Sequence, residues 1–208
     1  WVLCSPTYPQ LEPGQEKRDY IAVLEDRDND GRADTRTIFA DGLVVPTGIE
    51  LGDGGVYVAN VPELLFLADT DGDLKADVRR TVLSGFGTED NHHSISAFVW
   101  GPGGNLYFQS GIFLHSQIET PYGVVRADDG VVFEFNPRKM KLDRYVYGGS
   151  INPWGHNFDR WGQDFVSDAS PGHNFWATPI SGRVDYPSKH VGGSFNDSVN
   201  NFQDPALR

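Results

Sequence analysis

One pattern in this sequence occurs three times. Segments 48–59 (Gly-Ile-Glu-Leu-Gly-Asp-Gly-Gly-Val-Tyr-Val-Ala), 97–108 (Ala-Phe-Val-Trp-Gly-Pro-Gly-Gly-Asn-Leu-Tyr-Phe) and 155–166 (Gly-His-Asn-Phe-Asp-Arg-Trp-Gly-Gln-Asp-Phe-Val) share it. Each joins a short apolar run, a Gly-bearing turn and a second apolar-aromatic run, the signature of a β-hairpin. A second element recurs as well: Asp26-Arg-Asp-Asn-Asp-Gly-Arg-Ala-Asp34 and Asp69-Thr-Asp-Gly-Asp-Leu-Lys-Ala-Asp77 lie 43 residues apart, each between apolar runs. Self-similarity at such a period belongs to solenoids and propellers, and four short strands per unit favour the propeller. The expected class is all-β, a β-propeller of four-stranded blades.

At 43 to 58 residues per unit, the 208 residues hold about four blades, approximately 1–44, 45–88, 89–149 and 150–208. The chain begins at Trp1 in what reads as a strand and ends at Arg208 without closing, so it reads as part of a larger, six-bladed propeller. Helical periodicity is nearly absent, while 24 Gly and 13 Pro punctuate the chain. The net charge is −12, with eight of the 29 acidic residues in the two Asp-rich loops. No basic stripe exists, which argues against nucleic acid or an anionic membrane surface as a partner. No apolar run approaches the roughly 20 residues of a membrane span. The lone Cys4 has no internal disulfide partner and reads as a buried thiol.

With strands labelled A to D outward from a central channel, the first blade has B at 1–4, C at 21–25 and D at 35–39. The second has A 48–52, B 55–59, C 64–68 and D 78–83; the third A 97–100, B 105–109, C 131–135 and D 142–147. The fourth has A 154–159 and B 164–168, after which the pattern fades into residues 169–208, rich in Gly, Pro, Ser and Asn. Antiparallel strands put the residues before each A strand and the B–C loops on one rim. Those segments are 45–47, 91–94, 151–154, 60–63, 110–123 and 168–176. Five of the six His, namely His92, His93, His115, His156 and His173, fall there or in strand A beside them. Loops on a rigid scaffold are where sites are built.

The Asp-rich loops place carboxylates at positions 1, 3, 5 and 9. Ca²⁺ takes 6–8 oxygens, often including a backbone carbonyl at position 7. Asp26, Asp28, Asp30 and Asp34 with the Arg32 carbonyl fit, as do Asp69, Asp71, Asp73 and Asp77 with the Lys75 carbonyl. Position 12 carries Thr37 or Arg80 rather than Glu, and a strand follows, so these are not EF-hands. Solvated hairpin turns use the same residues. An ion here is structural, on the face away from the His rim.

On that rim, His92-His93 before strand A of the third blade is the sharpest chemical candidate, since imidazole takes a proton near neutral pH; a hydrogen-bonded structural pair is the alternative. Trp154 and Trp100 can stack a ring or pack between blades. Asp168 can orient a His, bind an ion or cap its loop. His115 and His173 have no metal-motif spacing, and His190 is unassigned. Neither a phosphate loop nor a Gly-x-Ser-x-Gly elbow is present.

The chain as a whole resembles the N-terminal propeller of the large membrane-bound dehydrogenases of planctomycetes and verrucomicrobia. The residues that carry this are Asp26–Asp34 with Thr37-Ile-Phe-Ala-Asp-Gly-Leu43, Pro46-Thr-Gly-Ile-Glu-Leu51, His92-His-Ser94 and Trp100-Gly-Pro-Gly-Gly-Asn-Leu-Tyr107. Gly111-Ile-Phe-Leu-His-Ser116, Glu119-Thr-Pro-Tyr-Gly123, Asn152-Pro-Trp-Gly155, Phe158-Asp-Arg-Trp-Gly162 and Ser167-Asp-Ala-Ser170 complete the set. That family is similar in turn to soluble quinoprotein sugar dehydrogenases, six-bladed propellers that use pyrroloquinoline quinone (PQQ). The resemblance implies oxidation of a sugar or alcohol hydroxyl, with His93, eight residues before Gly101-Pro102, as general base. The rim residues His92, Asn152, Trp154, Asp168 and His173 are then the candidates for holding cofactor or substrate, and the resemblance implies a c-type cytochrome domain as electron partner and a periplasmic or cell-envelope setting. The family's Arg-Asn-Pro-x-Gly motif is here Ile151-Asn-Pro-Trp-Gly155, and Ile cannot offer a quinone the donor fork of Arg.

Three readings follow: a quinoprotein-type dehydrogenase, a Ca²⁺-stabilised propeller that binds a glycan or protein at the same rim without catalysis, and a lactonase-like hydrolase. The last would need a metal on rim acids, of which Glu63, Asp90, Glu119 and Asp168 are available.

Overall fold

The computed structural model describes residues 1–147, 152–170, 173–177 and 195–201. The chain is all-β, and among the described residues its one helical element is a 3-10 turn over Asn91–His93. It divides into two compact units, Trp1–Ser84 and Gly85–Arg208.

The first unit holds two sheets. One is three-stranded, with β1 (Val2–Cys4), β2 (Asp19–Glu25) and β3 (Thr35–Leu43) in order. The other is a meander of β4 (Pro46–Gly52), β5 (Gly55–Asn60), β6 (Glu63–Ala68) and β7 (Val78–Ser84). Their facing residues alternate inward and form one core: Ile21, Val23, Phe39 and Leu43 meet Val56, Val58, Leu65 and Leu67. The β4–β5 turn needs glycine twice over. Gly54 has φ +79, and a Cβ on Gly55 would lie 2.3 Å from the Leu67 carbonyl. Cys4 is half-buried rather than buried, at the end of the short β1.

The second unit repeats the meander. β8 (Ser96–Trp100), β9 (Leu106–Ser110), β12 (Val131–Asn136) and β13 (Lys141–Tyr147) form one sheet; β14 (Pro153–Phe158), β15 (Asp164–Asp168), β16 (His173–Ala177) and β17 (Phe195–Asn201) form another. Tyr107, Val132, Tyr145 and Val146 pack with Val166, and Val99 and Phe158 flank them.

Two parts of this unit differ from the sequence reading. The segment taken as a loop over 110–123 contains a hairpin, β10 (His115–Thr120) with β11 (Gly123–Asp128). Ser116 and Ile118 alternate inward there while His115, Gln117 and Glu119 face out. The fourth meander also has its third strand: β16 pairs with β15 from Asp168 opposite His173, so 173–176 is strand rather than loop. β17 escaped notice because Phe-Asn-Asp-Ser-Val-Asn-Asn shows no apolar alternation.

Entry into two of the meanders uses one device. Val44 N–H donates to Asn60 Oδ1 at 2.7 Å, and Asn152 N–H donates to Asp168 Oδ1 at 3.1 Å. In both, the last residue of the second strand faces the Pro that opens the first, Pro46 with Asn60 and Pro153 with Asp168, and a bulge follows. Asn60 and Asp168 are both buried. A buried side-chain oxygen thus satisfies the backbone donor that a Pro-initiated strand leaves over.

Candidate functional site

The site grows from Asp90. In Asp90-Asn-His-His93, Asp90 N-caps the 3-10 turn, accepting the His92 N–H at Oδ1 (3.0 Å). The turn brings His93 back over its cap, so that Nδ1 meets Asp90 Oδ2 at 2.9 Å. The backbone is held on both sides: His93 N–H donates to the Asp90 carbonyl (3.0 Å) and Gly111 N–H donates to the His93 carbonyl (2.9 Å). The His93 side chain keeps 11% of its surface exposed and Asp90 35%. Burial pushes the Asp90 carboxyl up, but its bonds to the His93 ring and the His92 N–H, with the imidazole charges, outweigh burial and hold it below the usual range.

The other ring nitrogen, Nε2, lies 2.6 Å from Asn152 Oδ1. Asn152 is itself fixed by its backbone bond to Asp168 and by a side-chain bond from Nδ2 to the Ser170 hydroxyl. Asp168 also accepts the Ser170 N–H at 3.1 Å. The ring therefore has suitable partners in both protonation states. As imidazolium it donates to Asp90 and to Asn152 Oδ1. As neutral imidazole with Nδ1–H on Asp90, it accepts from Asn152 once the amide turns over, and Ser170 then donates to the amide oxygen. An imidazole oriented by a carboxylate and served at either charge can accept and release a proton in place.

Phe113 borders the pair. It is 55% exposed, and its ring sits edge-on to His93 with centroids 5.8 Å apart and planes at 74°. His92 is exposed, its ring at 89° to that of His93.

The sequence candidates separate accordingly. His93, His92, Asn152 and Asp168 come together, with Asp168 acting through the Asn152 backbone. His173 lies opposite Asp168 in the β15–β16 register, and Trp154 lies in β14; their side chains, with Ile151 and His190, fall outside the described residues. His115 is exposed and bound to Glu89 (Nδ1 to Oε1, 3.1 Å). His156, placed beside the rim by sequence, is instead in the core of its unit. Its side chain is fully buried, Nε2 bonds Asp164 at the far end of β15, and Tyr107 and Phe158 pack around it. Trp100 ends β8 at the turn opposite the rim. Sequence reading missed Asp90 as the partner of His93 and Phe113 as its neighbour. An Asp three residues before a His, in a turn-forming context, was the available signal.

Each Asp-rich loop brings three of its four carboxylates together. One oxygen each from Asp26, Asp28 and Asp34, and likewise from Asp69, Asp71 and Asp77, lie within 4.8 Å of one another. Oxygens on opposite sides of a Ca²⁺, at 2.3–2.6 Å each, are roughly 4.6–5.2 Å apart, so both sets fit that ion. Asp30 and Asp73 stand apart from these sets: they accept the N–H groups of Arg32 and Lys75, at 2.8 Å each. Backbone bonds from Gly72 lead the causes that hold the Asp69 carboxyl below its usual range. Among the described residues no other group of three metal ligands occurs, so Glu63, Asp90, Glu119 and Asp168 form no metal cluster.

PQQ carries three carboxylates and needs cations. The described charged side chains nearest His93 in its network are the carboxylates of Asp90 and Asp168, and the neutral groups are Asn152 and Ser170. These residues do not fit the quinone.

Among the described residues no helix is long and apolar enough to cross a membrane. The model of a family described as a domain of unknown function (DUF7133) matches residues 1–203. No curated protein matches the chain. Among solved structures it is similar to a luciferin-regenerating enzyme, at 8% identity and a TM-score of 0.36, over 80% of this chain and 66% of that protein's length.

Proposed function

The chain belongs to that domain-of-unknown-function family, and we propose that its rim at Asp90–His93 takes a proton from the hydroxyl of a sugar or alcohol, the base half of a dehydrogenase reaction. The observation that carries this reading is the two-sided setting of His93, with Asp90 Oδ2 at 2.9 Å from Nδ1 and an amide at 2.6 Å from Nε2. A hydroxyl that takes the place of Asn152 at Nε2 gives its proton to the ring, and Asp90 stabilises the imidazolium so formed. The displaced Asn152 amide then orients the hydroxyl oxygen. Completing the oxidation needs a two-electron acceptor, which the described rim does not select.

In this reading the meanders are blades of a propeller, and β8 and β14 are neighbouring inner strands whose leading residues, His93 and Asn152, meet at the rim. The Asp-rich loops hold structural Ca²⁺. A c-type cytochrome as electron partner and a periplasmic or cell-envelope setting rest on the sequence resemblance alone.

The second reading is a non-catalytic rim that binds a glycan or protein. It is favoured by the acidic surroundings of His93 and by the occupation of both ring nitrogens. Reduction of an artificial two-electron dye, assayed across sugars and simple alcohols with and without added PQQ, separates the two. Hydroxyl-dependent reduction supports the first; saturable binding with no reduction in any arm leaves the second.

A further inference from the structure

We infer that Phe113 is the specificity platform of this rim, an apolar face on which the ring of a cyclic saccharide stacks while one of its hydroxyls meets His93. The inference rests on the proposal that the rim binds a sugar or alcohol, and it narrows that class to ring compounds with a flat C–H face.

Two features of Phe113 are costly together. Its side chain is 55% exposed, so it gains little from burial. Its backbone has φ +75, in the left-handed region that a bulky side chain avoids. Such a conformation persists only where the surroundings fix it, and strain of this kind concentrates at ligand sites.

Here the fixing contacts are explicit. Gly111 N–H is bound to the His93 carbonyl at 2.9 Å and Phe113 N–H to Asp129 Oδ1 at 2.8 Å. Asp129 N–H returns to the Leu114 carbonyl at 2.9 Å, and the Leu114 side chain is buried. The result is a rigid loop that holds an aromatic ring out to solvent, 5.8 Å from the imidazole. The partners of His93, Asp90 and Asn152, are polar; Phe113 supplies the apolar surface. A saccharide ring presents hydroxyls at its edge and C–H groups on its face, which matches a polar pair beside an exposed aromatic.

The test uses the whole chain and two probes, a methyl pyranoside and an acyclic hexitol, with binding measured by calorimetry. Wild type should bind the pyranoside more tightly than the hexitol. Phe113→Gly should weaken pyranoside binding about ten-fold, the size of one aromatic contact, and hexitol binding less than two-fold. It should also raise Tm, because glycine adopts φ +75 without strain, whereas loss of a packing residue would lower it. Phe113→Trp should restore the preference for the ring. The inference is overturned by any of four results: no pyranoside binding to wild type, unchanged binding in Phe113→Gly, equal losses for both probes, or a Tm that falls together with binding. His93→Ala in parallel keeps the two claims apart: turnover that persists in it discards the base, while the platform is judged by the Phe113→Gly binding ratio alone.

Discussion

Asp90 does two jobs, capping a turn and orienting His93, and both depend on its charge. A carboxyl held below its usual range in the folded chain contributes stability above its ordinary value of about 4; that contribution is lost as pH falls through the folded value. Wild type should therefore lose Tm more steeply between about pH 5 and pH 3 than Asp90→Asn, measured by scanning calorimetry. At neutral pH the same substitution should slow hydroxyl-dependent turnover at least about ten-fold, because the amide neither fixes the ring nor balances the imidazolium. His93 and Asn152 were legible in the sequence from their motifs. Their mutual contact was not, since 59 residues separate them. Asp90 was readable only as one more rim acid until the 3-10 turn set its carboxylate against the ring. His156 misled for the opposite reason. It lies in strand A of a repeat, but its partner Asp164 is only eight residues away, across a hairpin that draws both side chains into the core.

At the scale of elements, the Asp-rich loops and the strand-entry straps make separate claims. Three carboxylate oxygens within 4.8 Å repel one another at neutral pH unless a cation lies among them. Chelator should lower the Tm of the chain, added Ca²⁺ should restore it, and Asp71→Asn should weaken the response; a Tm indifferent to both would mean solvated turns. Sequence spacing named four Asp in each loop, and the structure brings oxygens of three together in each: Asp26, Asp28 and Asp34, and Asp69, Asp71 and Asp77. Asp30 and Asp73 lie outside these triads; each accepts the N–H two residues on at 2.8 Å, whereas the same bonds to Asp28 and Asp71 are 3.2 Å long. For the straps, Asn60→Ala and Asp168→Ala each leave a backbone N–H short of its acceptor, at a cost of about 1–3 kcal/mol by chemical denaturation. A loss of that size in Asp168→Ala would identify its main role as structural, acting on His93 through Asn152. The β10–β11 hairpin went unread because Thr120-Pro-Tyr-Gly123 resembles a loop; inward alternation at Ser116 and Ile118 was the overlooked cue.

Over the whole molecule, the repeat was the strongest signal and the fading of the repeat the weakest. Apolar-turn-apolar segments marked the first two strands of three meanders correctly, because tight Gly turns and alternating cores leave few alternatives. The last meander closes on a polar strand, for which pairing with β16 rather than side-chain pattern supplies the order. Each unit then carries its own chemistry: acidic loops in Trp1–Ser84, and the histidine network in Gly85–Arg208. The central claim is that His93 acts as a base rather than as a fixture. The most direct measurement compares wild type with His93→Gln in one set of samples, Ca²⁺-loaded, recording saccharide binding by calorimetry and saccharide-dependent dye reduction side by side. The account predicts binding retained within a few-fold and reduction lowered at least about 100-fold. Reduction that survives in His93→Gln at the wild-type rate would contradict it.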